Sequence, residues 1–324
     1  MAFDTVKLDK GFYAAGQGFS QVLEEADPSG QYRGTALGEL DAYERQLKRF
    51  GIRAGGPGSD RVEKFFQCAE SAVLFPEYVA RAVRQGMERA DVLPGLAAAV
   101  TLTDRPDYRS ISCTPGAWDP TDEGEELPVT LVRTKGSLVA MKKRGQVLNA
   151  SYEAARFQRL DLFTVTLRQI GAGIARAQLR DAVDVLLHGD GDSGAAESVA
   201  KDGAALRYTD VVKLWSSFGE YEMTTLLAAP GMAEELLALP EFRDAYVSGG
   251  RRLVTPLGAE LIRCSAVPAG KILALDKNCA LEMVKAGEVM TDADRLIDRQ
   301  LERAAISATA GFAKLFAGAT KVLG

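Results

Sequence analysis

Three glycines, Gly189, Gly191 and Gly194, have the spacing G-x-G-x-x-G within the stretch LLHGDGDSGAAE. Dinucleotide-binding proteins hold a pyrophosphate with this spacing, because a tight glycine turn lets the backbone approach the phosphates. That use requires a strand before the glycines and a helix directly after them. Here a helical pattern precedes the glycines, and the carboxylates of Asp190 and Asp192 would repel a pyrophosphate. The sequence favours a turn that ends a helix, and a nucleotide-binding α/β enzyme using this turn is the alternative.

The same stretch has oxygen-bearing side chains at alternate positions, as a calcium-binding EF-hand loop does. Counted from Asp190, the EF-hand pattern fails at Gly194, Ala195 and Lys201. We therefore expect no calcium loop. The polar Asp and Ser side chains suit a turn that faces solvent.

Other chemistry has little support in the residues. His188 is the one histidine, and we expect it to interact with the last carbonyl groups of the helix that it ends. The cysteines are Cys68, Cys113, Cys264 and Cys279, and their scattered positions favour neither a zinc site nor a disulfide framework. We predict a protein that is not an enzyme, with no catalytic residues, no cofactor and no metal.

The bulk properties are those of a globular protein. The chain has 324 residues, 47% of them hydrophobic and 26% charged, with a net charge of −5. An acidic balance gives no basic face for nucleic acid, so any relation to DNA is expected to be without sequence-specific binding. No apolar run reaches the roughly 18–20 residues that span a bilayer, and the N-terminus does not resemble a secretory signal. We expect a protein made in a cytoplasm and without a membrane.

The element that positions the glycine turn is a long helix. Its apolar residues step by three and four, which predicts a helix over 153–188, about 54 Å long at 1.5 Å per residue. Ser151 precedes it as a candidate cap. Gly171 and Gly173 lie inside it, where each costs stability relative to alanine, and they indicate the close approach of another backbone or a bend. The stepping residues are Leu160, Phe163, Leu167, Ile170, Ile174 and Ala177.

The residues before this helix fall into three segments. Residues 1–60 contain one amphipathic helical pattern, ALGELDAYERQLKRF, on an otherwise irregular segment. Such a segment buries little of itself and must gain its stability against another surface. Residues 61–104 predict a helix at PEYVARAVRQGMERA, opened by Pro76, and a strand at LAAAVTLTD.

Residues 105–148 predict a projecting hairpin whose arms are PVTLV and SLVAM. An acidic patch and a basic patch flank these arms. A solvated, self-neutralising hairpin is one interpretation, but a lone two-stranded ribbon is marginal in water, which favours a loop that lies on another subunit. The candidate intersubunit contacts are Asp119, Asp122, Glu123, Glu125, Glu126, Arg133, Lys135, Lys142, Lys143 and Arg144.

Residues 201–284 alternate between helical and strand patterns and predict a compact α/β segment. Helices are expected at RYTDVVKLWSSF, GMAEELLALPEF and NCALEMVKAG, and strands at MTTLLAAP, LIRCSAVP and KILALD. For residues 288–324 the periodicity leaves helix and strand open.

The order of these parts resembles the major capsid protein of tailed bacteriophages, whose fold is shared with encapsulin shells. The likeness extends over nearly the whole chain, and its weight lies in the order of the runs rather than in one motif. The runs that carry it are SAVLFPEYVARAVRQ, LLHGDGDSG, YTDVVKLWSSF with TTLLAAPGMAEELLAL, CSAVPAGKILALDKNCALEMV and RQLERAAISATAGFAKLF.

The resemblance implies an α+β capsid fold with a set order of parts. It implies strands beside the long spine helix in the C-terminal segment. The parts would be an N-terminal arm (1–60), a peripheral domain (61–104, 149–200 with the spine helix, and 285–324), an extended loop (105–148) and an axial domain (201–284).

The function that the resemblance implies is mechanical. Copies would form the hexamers and pentamers of an icosahedral virion shell around double-stranded DNA, assembled in the cytoplasm of a bacterial host. The expected partners are other copies of the chain, a separate scaffolding protein, a portal and a decoration protein. Because the arm begins almost at once, no large cleaved segment is expected. The alternative within the same fold is an encapsulin-like nanocompartment shell.

Some members of the family join a lysine of the extended loop to an asparagine of a neighbour. This chain has three lysines in the loop, but its two asparagines are Asn149 and Asn278. No supporting acid lies at a recognisable position, so no covalent crosslink is predicted.

Overall fold

The computed structural model describes residues 2–13, 18–114, 116, 118–151, 157–242, 247–248, 252–287, 289–296 and 301–324. Its helices are α1 (Phe19–Ala26), α2 (Ala42–Arg49), α3 (Ala69–Ala72), α4 (Leu74–Ala90), α5 (Leu160–His188), α6 (Tyr208–Ser216) and α7 (Pro230–Ala238). Its strands are β1 (Ala99–Leu102), β2 (Ile111–Thr114), β3 (Leu131–Thr134), β4 (Lys142–Ser151), β5 (Glu197–Val199), β6 (Thr225–Ala228), β7 (Val247–Ser248), β8 (Arg252–Val254), β9 (Glu260–Arg263), β10 (Ile272–Leu275), β11 (Leu281–Lys285), β12 (Met290–Leu296), β13 (Leu301–Lys314) and β14 (Thr320–Leu323).

The chain divides into two compact units, each with its own hydrophobic core. Their bounds cut across the parts expected from the sequence. The last residues of the chain, for example, group with unit 2, because β14 pairs with β10 inside the large sheet of that unit. Unit 1 comprises Met1–Asp91, Lys143–Arg176 and Glu288–Ala308, and unit 2 comprises Val92–Lys142, Ala177–Gly287 and Thr309–Gly324.

The N-terminal residues pack within unit 1. Phe19 and Leu23 of α1 and Leu47 of α2 are buried in the same core as Val79 and Val83 of α4. The surface that this segment needs for its stability is therefore supplied by the same chain. The sequence pattern predicted one helix here, and it missed α1.

Helix α2 begins later than its apolar periodicity indicates. Asp41 caps it by accepting a hydrogen bond from the Glu44 backbone N–H at 2.8 Å, and the Glu44 side chain accepts from the Asp41 N–H at 3.1 Å. This reciprocal capping box fixes the helix start at Ala42. Leu37, which fits the helical pattern, is buried within the preceding turn.

A fully buried arginine joins α2 to the chain that follows α1. The Arg45 Nε donates to Asp27 Oδ2 at 2.7 Å, and its terminal nitrogens donate to the carbonyls of Asp27 and Leu40, each at 2.6 Å. The guanidinium carbon also lies 4.3 Å from the centre of the Tyr32 ring. Burying this charge is tolerable because its donors are satisfied on several sides.

Helices α4 and α5 touch through their backbones at two glycines. A Cβ on Gly171 would lie 2.0 Å from the Val83 carbonyl oxygen, and a Cβ on Gly86 would lie 2.1 Å from the Arg168 carbonyl oxygen. The sequence-based expectation of a close backbone approach is confirmed for Gly171. Gly173 differs, because a Cβ there would meet no atom within 4 Å.

Helix α5 has 29 residues, fewer than the sequence predicts. The backbone before it is engaged elsewhere: the Val62 N–H donates to the Gln158 carbonyl at 3.0 Å, and the Leu160 N–H donates to the Asp60 carbonyl at 2.8 Å. The backbones of Arg159 and Arg61 form an isolated antiparallel β-bridge. These bonds set the helix start at Leu160, while residues 152–156 lie outside the described part of the chain.

The strands are distributed over both units. In unit 1, β12 runs antiparallel to the first half of β13, from Met290 opposite Ser307 to Leu296 opposite Leu301. In unit 2, a mixed sheet has the order β5-β14-β10-β6-β9-β8-β7. The C-terminal residues, whose structure the periodicity left open, are thus largely strand.

The run NCALEMVKAG is a strand and not the predicted helix. Its residues Leu281–Lys285 pair in parallel with β1 and in antiparallel with residues 310–314 of β13. Leu281 to Val284 are all buried, which suits a central strand covered on both faces. Backbone pairing on both sides decides the structure of a run whose composition also permits a helix.

We expect Gly171→Ala to destabilise the protein by about 1–3 kcal/mol, because the new methyl group would overlap the Val83 carbonyl. The matched control is Gly173→Ala in the same helix, which has room and should stabilise by up to about 1 kcal/mol. Urea unfolding followed by circular dichroism measures both. A Gly171→Ala protein as stable as the wild type would show that the two helices do not touch there.

Replacing Arg45 by Met should cost about 3–5 kcal/mol, because it leaves the buried Asp27 carboxylate without its cationic partner. The exposed Lys48→Met on the same helix should stay within about 0.5 kcal/mol of the wild type. Equal losses for the two variants, measured by the same unfolding assay, would contradict the assignment.

Candidate assembly interface

The glycine turn ends α5 and does not form a nucleotide cradle. Gly189 has a φ of 93° and Gly191 a φ of 99°, the left-handed conformation with which helices commonly end. A Cβ on Gly189 would lie 2.0 Å from the Ser193 carbonyl oxygen. A helix precedes the turn and the short strand β5 follows it, the reverse of the dinucleotide arrangement. The interpretation as a helix stop is confirmed.

The expectation that this turn faces solvent is wrong for the side chain of Asp190, whereas Asp192 is exposed and Ser193 is half-buried. The Asp190 side chain is 7% exposed, and its Oδ2 accepts from Lys135 Nζ at 2.6 Å and from the Lys314 backbone N–H at 2.8 Å. Its Oδ1 accepts from the Ser193 N–H at 2.8 Å and the Asp192 N–H at 3.3 Å. The turn is folded around a carboxylate that the rest of unit 2 has enclosed.

Lys135 supplies the charge that this carboxylate needs. Its side chain is 4% exposed, and besides Asp190 its ammonium donates to Ser193 Oγ at 2.9 Å and to the Lys314 carbonyl at 2.5 Å. Three donors thus meet three acceptors. We call Lys135, Asp190, Ser193 and Lys314 the root cluster, because Lys135 belongs to the predicted loop and the other three hold it.

Burial and hydrogen bonding have opposite effects on the pKa of Asp190 in the root cluster. Burial alone would raise the pKa of Asp190, but hydrogen bonds from Lys135 and from the backbone of Ser193 and Lys314 outweigh it and lower that pKa below its ordinary value. The pKa of Lys314 is lowered chiefly by burial; the Asp190 carboxylate acts in the opposite direction, and the cations Lys135 and Lys321 add to the lowering. Its ammonium contacts the carbonyls of Leu186 and Gly194 at 3.4 and 3.3 Å.

A second buried carboxylate fixes the start of the loop. Glu282, on β11, accepts hydrogen bonds from the hydroxyls of Thr101 at 2.6 Å and Tyr108 at 2.5 Å, and from Ser110. Burial, followed by the bond to Glu282, raises the pKa of Tyr108. The first part of the loop is therefore anchored on the sheet by its side chains.

The end of the loop is fixed in the same way. Lys142 lies 3.1 Å from the Asp181 carboxylate of α5. Val139 is buried against Val284 and Ala313, and its N–H donates to the Tyr108 carbonyl at 2.9 Å. Both ends of the loop are thus tied to unit 2.

The predicted hairpin arms are wrong in their pairing. Strand β3 pairs with β2, from Ile111 opposite Thr134 to Thr114 opposite Leu131, whereas residues 137–141 form no strand. Strand β4 then pairs with β13. The expected second arm, residues 137–141, lies at the root of the loop and not along the ribbon, because the Val139 N–H is hydrogen-bonded to the Tyr108 carbonyl.

The tip of the loop is bare. Trp118 is 88% exposed and Leu127 is 77% exposed, and Val129, Leu131 and Val132 are exposed as well. The five acids of the predicted acidic patch lie between the first two of these and are all exposed or half-exposed. The tip therefore offers water both an apolar surface and a dense negative charge.

The ten sequence-predicted contact residues fall into two groups. Lys135 and Lys142 have intrachain partners, Asp190 and Asp181, that the sequence interpretation did not consider. In the second group, Arg133 and Lys143 lie at the surface, as the acids of the tip do, and Arg144 is partly buried. Sequence reasoning also missed the apolar residues of the tip, although a Trp beside an acidic, proline-flanked run was a visible signal.

His188 does not bind the last carbonyls of α5 as expected. Its Nδ1 lies 2.8 Å from Asp184 Oδ1, one turn earlier on the helix, and both side chains are exposed. Within the described ranges no group of three His, Cys, Asp or Glu residues is arranged to hold a metal ion. Among the residues that the structure describes, no helix is both long and apolar enough to cross a membrane.

The sequence and the fold of this chain are similar to those of known capsid proteins. A family model described as phage capsid protein matches residues 134–300, and no curated protein matches the chain. The capsid of a native GTA particle has a TM-score of 0.53 at 15% identity, over 74% of this chain and 89% of that one. The virus-like particle of Pyrococcus furiosus has a TM-score of 0.54 at 11% identity, over 76% of this chain and 98% of that one.

A structure of Microbacterium phage Oxtober96 has a TM-score of 0.52 at 11% identity, over 72% of this chain and 90% of that one. These likenesses confirm the predicted α+β capsid fold. The matched family region covers more than half of the 324 residues. The chain therefore belongs to the phage capsid protein family and is a shell-forming structural protein.

Proposed function

We propose that the chain is the major subunit of an icosahedral phage capsid, whose copies form hexamers and pentamers and close around double-stranded DNA. The observation that carries the proposal is the contrast along the loop. Its root is held by enclosed charges such as Lys135, whereas its tip exposes Trp118 and Leu127. Evolved proteins seldom leave such an apolar surface uncovered.

A neighbouring copy is the natural cover for this tip. A two-stranded ribbon on its own is marginally stable in water, and β2 and β3 have four residues each. Because the tip is one surface and its receptor another, the contact is heterologous, and contacts of that type generate rings when the rotation closes. Several such contacts per subunit make the closed shell hard to reverse.

The charges at the surface of the loop are proposed to help orient neighbours. The five acids of the tip, together with Arg133, Lys143 and Arg144, remain our candidates for intersubunit ion pairs. Exposed pairs contribute little affinity, about 0–1 kcal/mol each, but they steer association and set its register. Lys135 and Lys142 act within the chain instead.

The parts named from the resemblance complete the proposal. The N-terminal arm, extended loop, peripheral domain and axial domain keep their sequence-based boundaries here as a proposal. Assembly in a bacterial cytoplasm would use a separate scaffolding protein, a portal and a decoration protein. The net charge of −5 suits a wall that repels packaged DNA weakly, so that the DNA is not held by the shell.

Electron microscopy of the expressed protein tests the proposal directly. We expect closed icosahedral particles with hexameric and pentameric capsomers, because the loop tip has to be covered by neighbours. In particles isolated from infected or induced cells and treated with nuclease, double-stranded DNA should remain protected.

Two other results would contradict this. Small shells without DNA that hold a co-purified protein would support an encapsulin-like compartment. A small soluble oligomer that binds a nucleotide would support the enzyme alternative and overturn the capsid proposal.

The stability of the protein should depend on the ion pair of the root cluster. Lys135→Met leaves the enclosed Asp190 carboxylate without its cation, and we expect a loss of about 3–5 kcal/mol at neutral pH. Because the pKa of Asp190 is lowered in the folded protein, its contribution is present above the ordinary Asp pKa and is lost as pH falls through the lower folded value. The stability gap between wild type and variant should therefore shrink in acid, as urea unfolding between about pH 7 and pH 3 would show.

The matched control is Lys143→Met, a lysine at the surface of the following strand, which should change stability by less than about 0.5 kcal/mol. Adding Asp190→Asn to Lys135→Met should restore part of the lost stability, because the uncompensated charge is removed. A gap that stays constant with pH would contradict the assigned role of the ion pair.

A further inference from the structure

The loop tip has a protruding side chain of the type that dominates protein interfaces. Trp118 is the most exposed of the large apolar residues in the described part of the chain. Tryptophan is enriched among the few residues that carry most of the affinity of an interface, especially where it fills a pocket on the partner. The carboxylates that come after Trp118 in the chain begin with Asp119.

A surface that would suit this side chain lies in unit 1, at the start of α5. Phe157 is 61% exposed and Leu162 is 58% exposed, and Val165 is exposed one turn further along the helix. The Phe157 and Leu162 side chains border a shallow hollow. Its lining residues are Pro57, Phe157, Gln158, Arg159, Asp161 and Leu162.

The charge around this hollow complements the tip. The Arg61 guanidinium lies 5.8 Å from the centre of the Phe157 ring, and the Arg159 side chain is half-exposed. Asp161 also lies at the hollow, 3.8 Å from Arg159, so these three groups sum to one positive charge. The tip carries the five carboxylates of the acidic patch.

We propose that Trp118 of one copy inserts into this hollow on a second copy, beside Phe157 and Leu162, and that this apolar contact supplies most of the affinity of the loop for its neighbour. The inference rests on the proposed function and deepens it, because it names the receptor and the chemistry of the contact. Each copy has one tip and one hollow, so the contact runs head to tail through a ring.

Ion pairs at the rim have a different role in this contact. They remain partly in water and are screened by salt within about 8–10 Å, so they govern the rate and register of association more than its strength. The apolar centre excludes water and is insensitive to salt. The two contributions can therefore be separated by experiment.

The first test compares assembly of the wild type with Trp118→Ala. We expect the concentration needed for assembly to rise roughly 30-fold, the change that a central aromatic anchor produces, at both low and high salt. Leu237→Ser, which removes an exposed leucine of α7, should assemble as the wild type does. Because Trp118 is exposed, urea unfolding of the variant should match the wild type, which separates lost contact from lost fold.

The second test identifies the receptor by mixing two variants. Trp118→Ala keeps the hollow but lacks the tip anchor, and Phe157→Ser keeps the tip but lacks one wall of the hollow. Each alone should assemble poorly, whereas an equimolar mixture should associate at a lower total concentration than either, because intact tips meet intact hollows. Analytical ultracentrifugation over a concentration series measures this.

The third test addresses the rim. Glu125→Lys combined with Glu126→Lys should slow assembly several-fold at low salt and approach the wild-type rate at high salt. An equal defect at both salt concentrations would overturn the division between rim and centre.

The outcomes distinguish the inference from the function on which it rests. A wild type that forms shells while Trp118→Ala assembles equally well overturns the inference alone, and so does a mixture that gains nothing over its components. A wild type that forms no rings or shells overturns both.

Discussion

An ammonium group that leaves water must find an acceptor for each of its three protons, and a carboxylate that leaves water must find a cation. Lys135 and Asp190 meet both requirements at one point in unit 2, with Ser193 and the Lys314 carbonyl completing the set. The pair links a loop residue to the turn that ends the long helix and to the last residue of β13. The direction of the loop depends on that link, because the loop is tied there to the end of the helix and to the sheet.

The glycines of the turn allow this ion pair to form. Gly189 and Gly191 adopt left-handed backbone conformations, which let the chain reverse tightly and turn the Asp190 carboxylate inward. A residue with a side chain at Gly189 would meet the Ser193 carbonyl. The spacing that resembles a nucleotide fingerprint is thus the geometry of a turn closing over its own aspartate, and the negative charge that argues against a phosphate is neutralised from within the chain.

The sequence predicted the long helix, the helix stop and the existence of a loop, because these depend on periodicity and on local glycine chemistry. The α+β capsid fold was predicted from the resemblance of its runs to a known family. It did not predict that Leu281–Lys285 is a strand, since that depends on partners distant in the chain on both sides. It also grouped Lys135 with surface cations, although the lysine is enclosed. Burial of a single charged side chain has no signature in local sequence, because the acceptor lies 55 residues further along the chain.

In this loop, charged side chains are buried at the root and apolar side chains are exposed at the tip, which is the reverse of the usual distribution. Its enclosed root is held by Lys135, Asp190 and Glu282, while its exposed tip carries Trp118 and Leu127. Buried, hydrogen-bonded charges stabilise only one geometry, because their interaction is lost when the geometry changes. The burial of apolar surface stabilises a contact without requiring one orientation. A subunit that must aim a contact before it makes one needs the directional interaction inside and the adhesive one outside. In the proposed shell, that division would position the loop in the free subunit, and the loop would gain its binding energy only when a neighbour covers it.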